Sequence, residues 1–171
     1  QLDPFEPFKI AKAVKELNLN HVVITSVDRD DLKDGGANHF KSVVLETKKN
    51  NPNTTIEVLT PDFRGHAPSI LKVFDAKPEI FSHNIECVER ISKQVRAQSN
   101  WVRSLDVLKM SVGFGLTTKT GMMVGLGETD NEILKTMEEI ASLGVKIFNI
   151  GQYLQPSRNH LSVQRFVHPD V

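Results

Sequence analysis

Apolar residues in this chain form short runs that are separated by longer stretches with a helical spacing. The short runs predict strands at residues 22–24, 55–60, 80–82, 116–124 and 145–150. In the stretches between them, apolar residues recur every three or four positions, which is typical of a helix with one buried face. Strands that alternate with helices in this way predict βαβ units and a parallel sheet.

The predicted helices each present one apolar face, and these faces are expected to cover the sheet. Short helices are predicted at residues 68–76, 88–95 and 101–109. The faces expected to be buried in the other helices comprise Ile10, Val14 and Leu17, then Phe40, Val43, Val44 and Thr47, and finally Ile133, Leu134, Met137, Ile140 and Ala141.

A glycine turn follows the fourth predicted strand and leads directly into the last predicted helix. Thr129 and Glu132 have the spacing of a capping box, which marks a helix start. Gly125 and Gly127 lack a β-carbon, so a flat ligand can approach the backbone there. The same glycines are also compatible with a tight turn that binds nothing.

Polar side chains follow every predicted strand. In a barrel these strand ends meet at one mouth, whereas in an open doubly wound sheet they spread along an edge. Because polar groups occur after all five strands, we favour a single α/β domain over residues 1–171, a partial (β/α) TIM-like barrel with parallel strands. The strand-end groups are Asp28, Arg29, Asp62, Arg64, Asn84, Glu86, Glu128 and Gln152.

Several strand-end groups have more than one interpretation. The acidic and basic residues 28–31 either orient a charged ligand or form a solvated loop. Arg64 either pairs with Asp62 to hold a turn or makes a bidentate contact with a carboxylate or phosphate of a ligand. His83 is more often a hydrogen-bonded packing residue than a metal ligand. Lys119 is either a Schiff-base nucleophile or a cation paired with Glu86 or a ligand carboxylate.

The composition argues against several classes of partner and of binding site. The 171 residues carry 21 basic and 21 acidic side chains, without a basic stripe, so nucleic acid is not an expected partner. No apolar run is long enough to span a membrane, so no membrane is expected either. The only cysteine, Cys87, excludes a disulfide framework and any cluster site built from this chain's own thiols. Because no Met leads the chain, we expect a fragment.

Five strings along the chain resemble lipoyl synthase, a family of radical S-adenosylmethionine enzymes, and they occur in the family's order. The strings are TSVDRDDL at 25–32, LTPDFRG at 59–65, HNIE at 83–86, GLGET at 125–129 and GQYLQPSR at 151–158. The resemblance implies a partial barrel and the insertion of two sulfur atoms into an octanoyl chain. It also implies S-adenosylmethionine and two [4Fe–4S] clusters as cofactors, one generating a 5′-deoxyadenosyl radical and one donating sulfur.

The resemblance assigns roles to individual residues, including a Gly-x-Ile-x-Gly-x-x-Glu pattern with Met123 in the Ile place. It implies an octanoylated lipoyl-carrier domain as substrate, ferredoxin or flavodoxin as electron donor, and a cytoplasmic location, or a mitochondrial or plastid one in a eukaryote. The expected cofactor-binding residues are Thr25, Ser26, Asn84, Glu86, Lys119, Met123, Gly125, Gly127, Glu128 and Gln152. The expected substrate-binding residues are Asp28, Arg29, Arg64 and Arg158.

The chain departs from the family in its cysteines. The family's Cys-x-x-x-Cys-x-x-Cys loop and the ligands of its auxiliary cluster are absent from these 171 residues. We therefore expect no catalytic residue and no metal ligand within this chain, and an isolated chain that is inert. The alternatives are a non-catalytic barrel that binds a carrier domain and a Schiff-base aldolase that uses Lys119.

Overall fold

The computed structural model describes residues 2–98 and 100–170 of the chain. The strands are β1 (His21–Thr25), β2 (Thr55–Leu59), β3 (Ile80–Ser82), β4 (Thr117–Val124) and β5 (Ile147–Gln152). The helices are α1 (Glu6–Glu16), α2 (Ala37–Asn50), α3 (Ala67–Phe74), α4 (Ser92–Val95), α5 (Trp101–Phe114) and α6 (Asp130–Ser142), with 3₁₀ turns at Phe63–Gly65 and Glu89–Ile91. None of the helices in these ranges has both the length and the apolar character needed to cross a bilayer.

The five strands form one sheet in which every neighbouring pair is parallel and the order follows the chain. The register places Thr25 beside Leu59, Leu59 beside Ser82, and Ser82 beside Lys119. A doubly wound sheet would reverse its strand order at a switch point, and this sheet does not. The order confirms the predicted partial (β/α) TIM-like barrel, whose strand carboxyl ends all lie on one rim.

One face of the sheet is apolar and packs against the helices. Ile24, Ile56, Val58 and Phe81 are buried there in a core that also contains residues of α2 and α3. The ring of Phe81 meets that of Phe74 in α3 edge to face, with 4.8 Å between the centroids. A second cluster continues this layer with Met122 and Val124 of β4, Leu108 of α5 and Ile140 of α6. Burial of this face is what fixes the helices on the outside of the barrel.

The predicted start of α6 is confirmed in detail. The Thr129 hydroxyl accepts a hydrogen bond from the Glu132 N–H at 3.3 Å, and the Glu132 carboxylate accepts one from the Thr129 N–H at 2.8 Å. The other end is terminated at Gly144, which has φ +88°, a conformation that glycine adopts without a steric penalty. Local sequence signals therefore determine both ends of this helix.

Three helix predictions need correction. Leu17, which was predicted on the buried face of the first helix, follows the end of α1 and is 68% exposed. The stretch 88–95 is not one helix but a 3₁₀ turn followed by the single turn of α4. On α6, Leu134, Met137 and Ala141 of the predicted face are exposed, and the buried residues are Thr136 and Ile140. The apolar periodicity was compatible with either face, and packing onto β4 selects the one that carries Thr136.

The opposite face of the sheet is partly polar, and its most buried charge is Glu57 in β2. The Glu57 carboxylate lies 2.9 Å from the Lys119 Nζ and 3.6 Å from the His21 Nε2. Only 5% of the Glu57 side chain is exposed. Lys119 therefore pairs with Glu57, and the pairing with Glu86 that the sequence suggested is wrong.

Replacing Lys119 with Met is expected to destabilise the protein by about 3 kcal/mol, because it leaves the Glu57 carboxylate buried without its main partner. The double replacement Glu57→Met and Lys119→Met is expected to recover most of this loss, since no unpaired charge is then buried. Urea unfolding of the complete protein measures both changes.

The matched control for this prediction is Lys12→Met. Lys12 pairs with Glu16 at 3.6 Å on the surface, where both side chains are more than 60% exposed, so the expected change is below about 0.5 kcal/mol. Equal effects of Lys12→Met and Lys119→Met would contradict the assignment.

Candidate functional site

Loops from three neighbouring strands enclose a small cleft at the rim of the barrel, and we call it the strand-end cleft. Its volume is about 150 Å³. Five of the predicted ligand-binding residues line it, although they are separated by up to 61 positions in the chain. They are Thr25, Ser26, Asp28, Asn84 and Glu86.

Asn84 and Glu86 take their positions from contacts with β4. A β-carbon at Gly121 would lie 3.1 Å from the Asn84 side-chain oxygen, so the missing side chain makes room for Asn84. Glu86 has φ +70°, which is unusual for a residue other than glycine. Its backbone is held by the Gly121 carbonyl at 3.2 Å and by the Met123 N–H at 2.8 Å. Two polar side chains are thereby fixed at the end of β3.

The ionisation of Glu86 reflects its position between solvent and the barrel wall. Burial raises the pKa of this carboxyl above its ordinary value, while Arg96 and a hydrogen bond from Asn84 act in the opposite direction. A partly desolvated carboxylate beside an amide is well suited to accept hydrogen bonds from ligand hydroxyl groups.

A larger cleft of about 420 Å³ adjoins the first, and we call it the arginine cleft. It contains the predicted residues Arg29 and Arg64, and it shares Asp28 and Arg96 with the strand-end cleft. Its cations are largely paired with carboxylates across the rim. The ion pairs are Arg29–Asp31 at 2.6 Å, Arg64–Asp30 at 2.9 Å, Arg96–Asp28 at 2.6 Å and Arg103–Asp62 at 2.6 Å.

The predicted ion pair between the Asp62 and Arg64 side chains is wrong. Asp62 accepts a hydrogen bond from the Arg64 backbone N–H at 2.8 Å, while its other oxygen pairs with Arg103. The Arg64 guanidinium pairs instead with Asp30. Asp62 thus holds the turn through the backbone, and the Arg64 side chain, 64% exposed, faces the cleft.

The glycine turn after β4 forms a separate group that does not line either cleft. Glu128, whose side chain is fully buried, accepts hydrogen bonds from the N–H groups of Gly125 at 2.6 Å and Leu126 at 2.9 Å. Gln152 lies against Gly125. Both carboxylate oxygens of Glu128 therefore bond to the backbone of the turn and stabilise its conformation.

The remaining predicted residues lie apart from the clefts. Met123 is half-buried in β4, where its backbone contacts Glu86. Gly127 accepts a hydrogen bond from Arg90 at its carbonyl, at 2.8 Å. Lys119 is paired with Glu57. Arg158 is exposed in the segment after β5 and does not line either cleft.

Sequence reasoning missed two residues of the strand-end cleft. Arg96 follows α4 and lines both clefts, but a single Arg at a helix end carries no recognisable signal. Thr60 follows β2, and its buried hydroxyl oxygen has no hydrogen-bond partner among the described residues. An unsatisfied buried hydroxyl beside a cleft is consistent with a site that a ligand completes.

His83 also lines the strand-end cleft but is a packing residue, as the sequence favoured. Its ring nitrogens lie 3.0 Å from the Thr60 carbonyl oxygen and 3.1 Å from the Ser104 hydroxyl. Complete burial lowers the pKa of its imidazole. The neutral ring therefore links the ends of β2 and β3 to α5.

The chain's residues do not suit an iron–sulfur cluster. Cys87 is its only cysteine, and burial, with Glu86 and Glu128 nearby, raises the pKa of that thiol to about 12. Within residues 2–98 and 100–170, no three His, Cys, Asp or Glu side chains converge on a point where a metal could bind. Cluster ligands would have to come from outside these residues.

Replacing Glu128 with Gln is expected to destabilise the protein by about 2 kcal/mol, because one of two buried backbone N–H groups then faces an amide NH₂. Urea unfolding measures the change. Glu138→Gln, on the exposed side of α6, serves as the control and is expected to change stability by less than about 0.5 kcal/mol. Similar results for the two variants would show that Glu128 does not hold the turn.

Comparison of the sequence with known proteins finds relatives that share one name. The chain is 48% identical to lipoyl synthase of Treponema denticola, over 99% of this chain and 59% of the relative. It is 50% identical to lipoyl synthase of Parabacteroides distasonis, over 99% of this chain and 60% of the relative. The chain thus spans about three fifths of the curated relatives it matches.

Structural comparison supports the fold independently. The crystal structure of methylornithine synthase superposes with a TM-score of 0.74, covering 90% of this chain and 45% of that one, at 14% sequence identity. The sequence model of the Radical SAM superfamily matches residues 1–140. The chain therefore belongs to the Radical SAM superfamily, whose members use S-adenosylmethionine and an iron–sulfur cluster.

Proposed function

We propose that this chain is the barrel part of a lipoyl synthase, a sulfurtransferase that inserts two sulfur atoms into an octanoyl chain held on a protein. The observation that carries the proposal is identity near 50% to proteins of that name along nearly the whole chain. The matched span covers the rim loops, where the chemistry of an α/β barrel is located.

The strand-end cleft is proposed to bind S-adenosylmethionine, which supplies the oxidising radical chemistry when it is bound. Asn84 and Glu86 offer an amide and a carboxylate to the ribose hydroxyls. Thr25 and Ser26 line the same cleft from the end of β1, and we assign them to the amino-acid part. Arg96 is the only cationic side chain among the described residues that line this cleft. One of its nitrogens pairs with Asp28 at 2.6 Å, and we assign its other donors to the methionine carboxylate.

This assignment changes the role of Lys119. Lys119 was expected among the cofactor-binding residues, with a ligand carboxylate as one possible partner, but its ammonium group is held by both oxygens of Glu57, at 2.9 and 3.1 Å. The same contact disfavours a Schiff-base aldolase, since a nucleophilic amine must be neutral and an adjacent carboxylate stabilises the charged form.

Two [4Fe–4S] clusters are proposed for the complete protein, one beside S-adenosylmethionine and one as the sulfur source. Because this chain supplies a single, inert thiol, we derive no step through either cluster from its residues. The contribution of this chain is to bind and orient the organic cofactor and the substrate.

The arginine cleft is proposed as the entry for an octanoylated lipoyl-carrier domain. Asp28, Arg29 and Arg64 line it, and Arg158 is proposed to contact the carrier from the exposed segment after β5. A ferredoxin or flavodoxin is proposed as the reductant. The proposed compartment is the cytoplasm, or a mitochondrion or plastid in a eukaryote.

The proposed activity is tested by incubating the complete, cluster-loaded protein with reductant, S-adenosylmethionine and an octanoylated carrier peptide. Mass spectrometry of the peptide is expected to show two C–H hydrogens replaced by two sulfurs. Cleavage of S-adenosylmethionine without sulfur gain would assign the protein to another radical reaction. A borohydride-trapped adduct on Lys119 would favour the aldolase.

Replacing Arg96 with Gln is expected to weaken S-adenosylmethionine binding about tenfold, since a charge-assisted hydrogen bond contributes about 1.5 kcal/mol or more. Isothermal titration calorimetry on the complete protein measures the dissociation constant. Arg103→Gln is the matched control, because Arg103 has the same charge and lines only the arginine cleft of the two. Equal weakening by both changes would contradict the assignment of Arg96.

A further inference from the structure

The chain beyond β5 returns across the glycine turn, and we call its residues 163–167 the C-terminal strap. The Gln164 N–H donates a hydrogen bond to the Gly125 carbonyl at 2.8 Å. Val163 and Val167 pack against the buried cluster formed by β4 and α6. The strap is therefore both hydrogen-bonded to the turn and held down by apolar contacts.

Gln152, at the end of β5, connects the strap to the barrel. Its amide NH₂ donates to the Tyr153 carbonyl at 2.9 Å and to the Arg165 carbonyl at 3.2 Å. Its amide oxygen accepts from the Val167 N–H at 2.9 Å. Both functional ends of this side chain are used by the protein itself, with two of the three bonds going to the strap.

The strap also explains why residue 125 is glycine. A β-carbon at Gly125 would lie 2.3 Å from the Gln152 amide nitrogen and 2.5 Å from the Arg165 carbonyl oxygen. Gly125 has φ +97° as well, so a side chain is disfavoured on two grounds. The space beside this glycine is filled by Gln152 and the strap.

An ion pair also connects the strap to the first turn of α6. The Arg165 guanidinium pairs with Asp130 at 2.5 Å and approaches the Glu128 carboxylate at 3.9 Å. Glu128 in turn holds the N–H groups of Gly125 and Leu126. The strap thus contacts the turn at its backbone and near its carboxylate.

We propose that Gln152 is a positioning residue, which does not touch S-adenosylmethionine but holds the C-terminal strap against the glycine turn and so fixes the turn in its cofactor-binding shape. This inference rests on the proposed function and on the resemblance, which expects Gly125, Gly127 and Glu128 at the cofactor. The turn lines neither cleft, so it would meet S-adenosylmethionine beyond the strand-end cleft. Gln152 then affects cofactor affinity through the fraction of molecules whose turn is correctly shaped.

The test variant is Gln152→Glu in the complete protein. The new carboxylate keeps the acceptor for the Val167 N–H but places an anion against the two carbonyl groups. Loss of the strap bond to the Arg165 carbonyl, about 1 kcal/mol, together with repulsion between the new carboxylate and that carbonyl, is expected to raise the KM for S-adenosylmethionine about tenfold while kcat is unchanged at saturation. Hydrogen exchange at the amides of Gln164 and Val167 is expected to accelerate.

The matched control is Gln155→Glu. Gln155 also donates to a backbone carbonyl, that of His160 at 2.9 Å, but its bond lies outside the strap. This control is expected to change neither KM nor exchange in the strap. A second variant, Gln164→Pro, removes the N–H that bonds to Gly125 without changing Gln152, and it is expected to reproduce the rise in KM even if Gln152→Glu does not fold.

Three results would overturn the proposal. A rise in KM with unchanged exchange in the strap would mean that Gln152 contacts the cofactor directly. Faster exchange with unchanged KM would mean that the strap does not shape the site, and a fall in kcat at saturation would indicate general damage. If the unmodified protein does not bind S-adenosylmethionine, the proposed function fails, whereas exchange at the Leu126 amide still reports whether Gln152 holds the turn.

Discussion

The structure depends on one constraint, the burial of a single apolar face of a parallel sheet under helices. Ile56, Val58 and Phe81 are fully buried on that face, and each burial removes a large side chain from water. Because every strand runs in the same direction, the constraint also brings all strand carboxyl ends to one rim. Residues that are far apart in the sequence thereby become neighbours at this rim.

Strained backbone conformations are concentrated at this rim. Phe63, Arg64 and Glu86 have φ values of +49°, +53° and +70° in the loops after β2 and β3. The other two positive-φ residues apart from glycine among the described ones, Asn18 and Lys77, follow α1 and α3 instead, where a left-handed residue simply ends a helix. Strain in the rim loops is held by tertiary contacts and is typical of ligand sites.

Much of the fold was predictable because the signals are local. The capping box of α6, the glycine that ends it and the five apolar runs all depend on residues close in sequence. The convergence of Ser26, Asn84 and Glu86 was also predictable, since parallel strands leave little choice about where their ends lie. The assignment of these residues to S-adenosylmethionine stays a prediction.

The errors concern interactions between residues that are far apart. Lys119 pairs with Glu57 and not with Glu86, because the strand register places the side chains of Lys119 and Glu57 on the same face of the sheet. This register cannot be predicted from the spacing of residues alone. Arg96 and the strap were missed for the same reason, since nothing near Gln152 indicates that a later segment returns to it. The inner face of α6 was misassigned because an apolar stripe does not say which of its edges meets the sheet.

The most direct test is a crystal structure of the complete protein bound to S-adenosylmethionine. The account predicts the ligand at the ends of β1 to β4, with its ribose at Asn84 and Glu86, its carboxylate at Arg96, and Gln152 bonded to the strap. A ligand bound away from the strand ends, or one that contacts Lys119 or Gln152 in place of Arg96, would contradict it.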